Sequence, residues 1–164
     1  MGIAACTITY FIGEWFYQDN ISNWFVYISN SYGAIPTEEL KGNSKHLYFV
    51  IFALIGITFS PIGEELLYRG LIHQSFVSKF GNNKASIIDS LAFTIVHLAH
   101  FGIIYNSGTW EILYVPAFLW LLLMFFTSRI FFYCKSKSES IYGAILSHAG
   151  FNLAMTYFIF YHIL

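Results

Sequence analysis

Two adjacent carboxylates, Glu64 and Glu65, are followed by Arg69 inside a stretch that is otherwise apolar. Leu47 to Thr58 before them is almost free of polar groups, and Leu66, Leu67, Leu71 and Ile72 lie around or after them. A charged side chain at the centre of a membrane-spanning helix costs roughly 2.5–3.5 kcal/mol on insertion scales. Ionisable residues kept in such a place are a functional-site hypothesis by default. Farther along, Phe93 and His97 are four residues apart, as are His148 and Asn152. Side chains four apart share a helix face. Three stretches therefore each present an i,i+4 pair, and two of these pairs are polar. Polar pairs gain nothing from facing lipid, so they point inward, toward one another. Glu65, Arg69 and His73 lie on one face, and Glu64 is rotated about 100° from it.

This set of side chains narrows the chemistry. Ser60, Ser147 and Cys134 sit in no nucleophile-elbow setting such as G-x-S-x-G. A Glu and a His can together take a proton from water. An Arg can hold the second carboxylate. His and Asn can donate hydrogen bonds to a developing oxyanion. Attack of water on an amide bond fits every residue type present. Plainer readings exist: Glu65–Arg69 as a structural buried pair, and His148 and Asn152 as hydrogen-bonding bridges between helices. A non-proteolytic binding or immunity factor, or a proton or ion pathway, uses similar residues. Against transport, the chain is too short for an obvious inverted repeat.

The elements that position these residues follow from composition. The 164 residues leave room for one domain. Only 10% are charged and 57% are hydrophobic, against roughly 25% charged in a soluble domain, so the expected environment is a lipid bilayer. No basic patch suggests nucleic acid. Cys6 and Cys134 have no metal or redox spacing and read as small apolar helix residues. No Lys or Arg precedes the first apolar run, which makes it a poor signal peptide. The fold expected is all-α: a polytopic helical bundle with a four-span core over 46–164, preceded by a hydrophobic or interfacial segment and loop over 1–45. That segment reads either as one kinked span or as a short span followed by an interfacial helix. Pro61 and Gly63 should break or kink the second span. The third span is expected over Ala85 to Tyr105, the fourth over Trp110 to Tyr133, a polar loop over Lys135 to Glu139, and the last span over Ser140 to Leu164. Asp89 reads as a helix-start or interfacial acid. His46, His73 and His162 are expected at interfaces or helix ends, and the aromatic residues in lipid-facing and belt positions. The turns carrying Lys79/Lys84 and Lys135/Lys137 are predicted cytoplasmic by the positive-inside rule, with the C-terminus external, in a prokaryotic inner or plasma membrane.

Glu64-Glu65-Leu66-Leu67-Tyr68-Arg69, Phe93-Thr94-Ile95-Val96-His97 and His148-Ala149-Gly150-Phe151-Asn152 together resemble the motifs of the CPBP (Abi) family of intramembrane proteases. That family includes CAAX prenyl endopeptidases and bacterial relatives in bacteriocin processing, immunity and protein sorting. The resemblance covers roughly 46–164. It implies that Glu64 and His97 activate water, that His148 and Asn152 form the oxyanion hole, that Glu65 and Arg69 support the site, and that Phe93 packs beside His97. It implies a membrane-attached protein or peptide as substrate, with C-terminal sorting-signal, leader-peptide or CAAX-type processing as the candidate roles. The family is described both as metal-dependent and as metal-free. No H-E-x-x-H is present, and the metal-free reading is preferred. The alternative is zinc held by Glu64, His97 and His148. Large members have additional spans that are not found here.

Overall fold

The computed structural model describes residues 1–42 and 44–164. The chain is mostly helical. Helix α1 (Gly2–Tyr17) is followed by the short α2 (Trp24–Ser29), then by α3 (Ser44–Glu65), which runs through a π-helical segment Leu66–Ile72 into α4 (His73–Val96). After a 3₁₀ turn at His97–Ala99 come strands β1 (Ile103–Asn106) and β2 (Thr109–Ile112), then α5 (Tyr114–Ser138) and α6 (Ile141–Phe158). A second π-helical turn, Ile159–Ile163, closes the last helix.

Among the described residues three helical stretches are long and apolar enough to cross a membrane: Ser44–Ala99, Tyr114–Ser138 and Ile141–Ile163. The outer surface carries Trp15, Phe59, Phe118 and Leu146, all largely exposed. These features mark an integral membrane protein. The first stretch is not a straight rod. In a straight helix Arg69 and Asp89 would be about 30 Å apart, yet Arg69 Nε lies 3.9 Å from Asp89 Oδ1. The reversal occurs at Gly81, whose φ of 76° is a backbone conformation that glycine reaches without a Cβ clash. The spans expected on either side of Gly81-Asn82-Asn83 are thus the two arms of one folded stretch.

Several boundaries differ from expectation. Pro61 lies inside α3, and the irregularity comes after the carboxylates, in the π-helical segment that carries Arg69. Such segments insert a residue into the helical register and recur at functional sites. The third span ends at the 3₁₀ turn, and Tyr105 and Trp110 belong to an antiparallel hairpin, paired with each other. The chain is therefore not purely α. Its two-residue turn, Ser107-Gly108, has positive φ at both positions, 50° and 87°, the geometry that matches strand twist. Lys135 to Ser138 complete α5 instead of forming a loop; lysines in a last turn complement the helix dipole. Glu139, in the left-handed region, ends the helix, and the Ser140 hydroxyl caps α6.

Helix α6 sits at the centre, packed against α1, α3 and α5. At its N-terminal side the chain forms two separate helices, α1 and α2, in place of one kinked span. Trp24, Trp120, Phe25, Phe93, Phe101, Phe131 and Phe160 are all fully buried. The aromatic residues are therefore not confined to the lipid face. Trp24 packs on Phe101 and Trp120, which ties α2 to the start of the hairpin and to α5.

Candidate active site

The local register of α3 separates the two carboxylates. Glu65 is fully buried, while the Glu64 side chain keeps 26% of its exposure. Glu65 points into the bundle with Arg69, one turn on. Its Oε1 accepts from Arg69 Nη1 at 3.3 Å and from His148 Nδ1 at 2.9 Å. Oε2 lies 3.1 Å from Arg69 Nε but off the hydrogen-bonding axis, so this contact is an ion pair only. The guanidinium also donates through Nη2 to the backbone carbonyl (2.9 Å) and the hydroxyl of Ser128 on α5. It lies over the Phe93 ring, 4.8 Å from its centroid. Arg69 thereby joins α3, α4 and α5.

Asp89 and His73 extend this network and correct the sequence expectation. Both are buried, and His73 Nδ1 meets Asp89 Oδ2 at 2.7 Å. His73 Nε2 is 2.9 Å from Asn82 Oδ1, next to the Gly81 reversal. Asp89 is neither interfacial nor a helix-start residue; it is a second carboxylate facing Arg69. Lys135 Nζ donates to the Arg69 carbonyl at 2.8 Å.

Glu64 faces the other way, into a cavity of about 600 Å³ that also receives His97, His148 and Asn152. The four residues assigned catalytic roles from the motifs thus line one space, with Phe93 on its wall and Glu65 and Arg69 behind it. Ser60, one turn before Glu64, donates its hydroxyl to Glu64 Oε1. The other oxygen, Oε2, is 4.0 Å from His97 Nε2. That gap is too wide for a direct hydrogen bond and suits a bridging water.

The tautomer of His97 follows from its partners. Nδ1 lies 2.7 Å from the Phe93 carbonyl, which can only accept, so Nδ1 carries the proton. In the neutral ring Nε2 is then a lone pair aimed toward Glu64. The ring stacks on Phe93 with centroids 4.1 Å apart, and the His97 carbonyl accepts from Trp120 Nε1 at 2.9 Å. The i,i+4 spacing of Phe93 and His97 serves both contacts.

His148 is clamped between Glu65 and aromatic rings. It stacks on Phe131, centroids 4.7 Å apart, and meets Phe93 edge-on. Its Nδ1–H donates to Glu65, which leaves Nε2 toward the cavity. Asn152 Nδ2 donates to the Gly56 carbonyl at 3.0 Å, and an amide nitrogen has a second hydrogen to offer.

The alternative zinc set is not assembled. Among the described residues no three His, Cys, Asp or Glu side chains converge as a metal-binding group. Ser60, Ser128, Asp89 and Trp120 are contacts that sequence reasoning missed, whereas His73 was already on the Glu65–Arg69 face by its spacing. Of those missed, only Ser60 carried a readable signal, its spacing of four from Glu64.

A family model described as type II CAAX prenyl endopeptidase Rce1-like matches residues 46–154. The chain is also similar to an uncharacterized protein of Mycoplasma capricolum subsp. capricolum, 26% identical over 157 residues. That alignment covers 93% of this chain and 41% of the relative, so the chain spans about two fifths of its length. No solved structure matches.

Proposed function

The chain belongs to the type II CAAX prenyl endopeptidase Rce1-like family, and we propose that it is a glutamate-type intramembrane endopeptidase acting on a membrane-attached protein or peptide. The observation that carries this reading is the shared cavity of Glu64, His97, His148 and Asn152. A water bridging Glu64 Oε2 and His97 Nε2 donates one hydrogen to each and turns its lone pair to the substrate carbonyl. Glu64 takes the proton as the C–O bond forms. The tetrahedral oxyanion receives hydrogen bonds from the second Asn152 N–H and from His148. With Nδ1–H given to Glu65, His148 has an N–H for the oxyanion only as the imidazolium, whose charge the Glu65 carboxylate balances. Collapse breaks the C–N bond, and Glu64 returns its proton to the leaving amine. One water is consumed.

Glu65 and Arg69 hold His148 in place, and Phe93 orients His97. C-terminal sorting signals, leader peptides and CAAX-type tails are the substrate classes this reading admits. The N-terminal 1–45 acts as an accessory segment to the 46–164 protease core. The Lys79/Lys84 and Lys135/Lys137 turns face the cytoplasm and the C-terminus faces outward.

The test is reconstitution in liposomes with membrane-anchored fluorogenic peptides. The wild type cleaves and Glu64→Gln does not. Full cleavage by Glu64→Gln would overturn the mechanism. A binding factor would leave every peptide intact and keep its cellular phenotype with Glu64→Gln.

A further inference from the structure

The hairpin between α4 and α5 presents a free peptide edge to the catalytic cavity. Its register pairs Ile104 with Glu111 and Asn106 with Thr109, and Leu113 N–H bonds the Gly102 carbonyl at 3.0 Å. In an antiparallel ladder, backbone-bonded pairs alternate with unbonded ones. The bonded pairs here are 102/113, 104/111 and 106/109. Ile103 and Tyr105 therefore turn their peptide N–H and C=O away from β2. One contact reports this directly: the Tyr105 N–H donates to the Tyr27 hydroxyl at 3.2 Å. Tyr27 and Tyr105 both line the cavity that holds Glu64 and His97. Tyr27 belongs to α2, outside the matched 46–154 region.

Resting on the protease reading, we infer that the substrate binds as an added β-strand on the outer edge of β1, pairing with Ile103 and Tyr105, with the Tyr27 hydroxyl occupying the Tyr105 N–H until substrate displaces it. Strand addition supplies affinity through main-chain hydrogen bonds and specificity through alternate side chains. Peptide hydrolysis needs an extended, accessible peptide bond, which a helical segment does not offer. The partner chemistry is an extended segment with apolar residues at alternate positions, since Ile103, Tyr105, Tyr27 and Trp120 border the edge and cavity. The sequence signal was the Ser107-Gly108 turn between apolar runs. Tyr27 here is a specificity residue, not a catalytic one.

The experiment uses the full chain in liposomes and a membrane-anchored fluorogenic peptide whose cleavage is lost in Glu64→Gln. N-methylating the peptide's amides one at a time removes single donors. Strand addition predicts loss at every second position on one side of the scissile bond, about five- to ten-fold each in kcat/KM, the size of one exchanged hydrogen bond. Tyr105→Pro removes the cavity-side donor and raises KM by a similar factor with kcat retained. Trp110→Pro, on the opposite edge of the same hairpin, changes neither by more than about two-fold, because Pro is tolerated on a free edge. Tyr27→Phe frees the edge and lowers KM. A flat N-methyl scan, or equal effects of Tyr105→Pro and Trp110→Pro, overturns the inference and leaves the protease reading intact. Absence of any Glu64-dependent cleavage overturns both.

Discussion

The two neighbouring carboxylates should fail in opposite ways when each is replaced by glutamine. Glu65 is fully buried and meets three donor nitrogens: Arg69 Nη1 at 3.3 Å, Arg69 Nε at 3.1 Å and His148 Nδ1 at 2.9 Å. Glu65→Gln keeps the shape but removes the charge opposite a guanidinium that has no exposure. Breaking a buried pair from one side costs about 3–5 kcal/mol, because the other charge is left uncompensated. Asp89, 3.9 Å from Arg69 Nε, offsets part of this, so the lower end, about 3 kcal/mol, is expected. Glu64 is partly exposed to the cavity, with one hydrogen bond from Ser60 and a 4.0 Å approach to His97. Glu64→Gln should shift stability by less than about 1 kcal/mol while lowering turnover by at least about 10²–10⁴-fold, the range for a positioned acid–base group. Denaturant unfolding of both variants in matched micelles, beside peptide cleavage in liposomes, reads both quantities. The Glu65→Gln/Arg69→Met double variant should lose less stability than the two single changes combined, since the residues act as a unit. Equal destabilisation by the two glutamines, or a stable and active Glu65→Gln, would refute the assignment of support to Glu65 and chemistry to Glu64.

Three further outcomes follow from the same geometry. Ser60→Ala removes the donor that orients Glu64; kcat should fall about ten-fold with KM and stability nearly unchanged, measured on the anchored peptide. His148→Ala removes the partner of Glu65 Oε1 and a donor to the oxyanion; kcat should fall about 10²–10³-fold on the same peptide. Prolonged chelation of the purified protein should leave cleavage unchanged, because Glu64, His97 and His148 do not converge as a metal-binding group; loss restored by zinc alone would reinstate that set.

Six of the seven motif residues were legible as pairs at a spacing of four in otherwise apolar helices, and Glu64 as the carboxylate next to Glu65. Spacing alone brings Glu65 and Arg69 onto one face and Phe93 under His97. The rest depended on chain reversal. Asp89 reaches Arg69 only because Gly81 turns the chain back, and no periodicity within either arm reveals a partner 20 residues away. Ser128 lay in the most apolar of the expected spans, where a lone serine signals nothing until Arg69 reaches it. The hairpin was read as helix ends because Ile103 to Tyr105 continues an apolar run; its Ser107-Gly108 turn was the stronger cue. Buried aromatics such as Trp24 and Trp120 look like belt residues in sequence, since burial in a bundle and contact with lipid select the same side chains.

The most direct measurement compares the terminal peptides of host membranes expressing the wild type or Glu64→Ala at matched levels. New N- and C-termini that appear only with the wild type, and vanish also in His97→Ala, are the predicted result, and they identify the substrate and the side of cleavage together. Matching profiles for all three proteins under native growth conditions would contradict the account and leave the Glu64 cavity to be explained as a binding site.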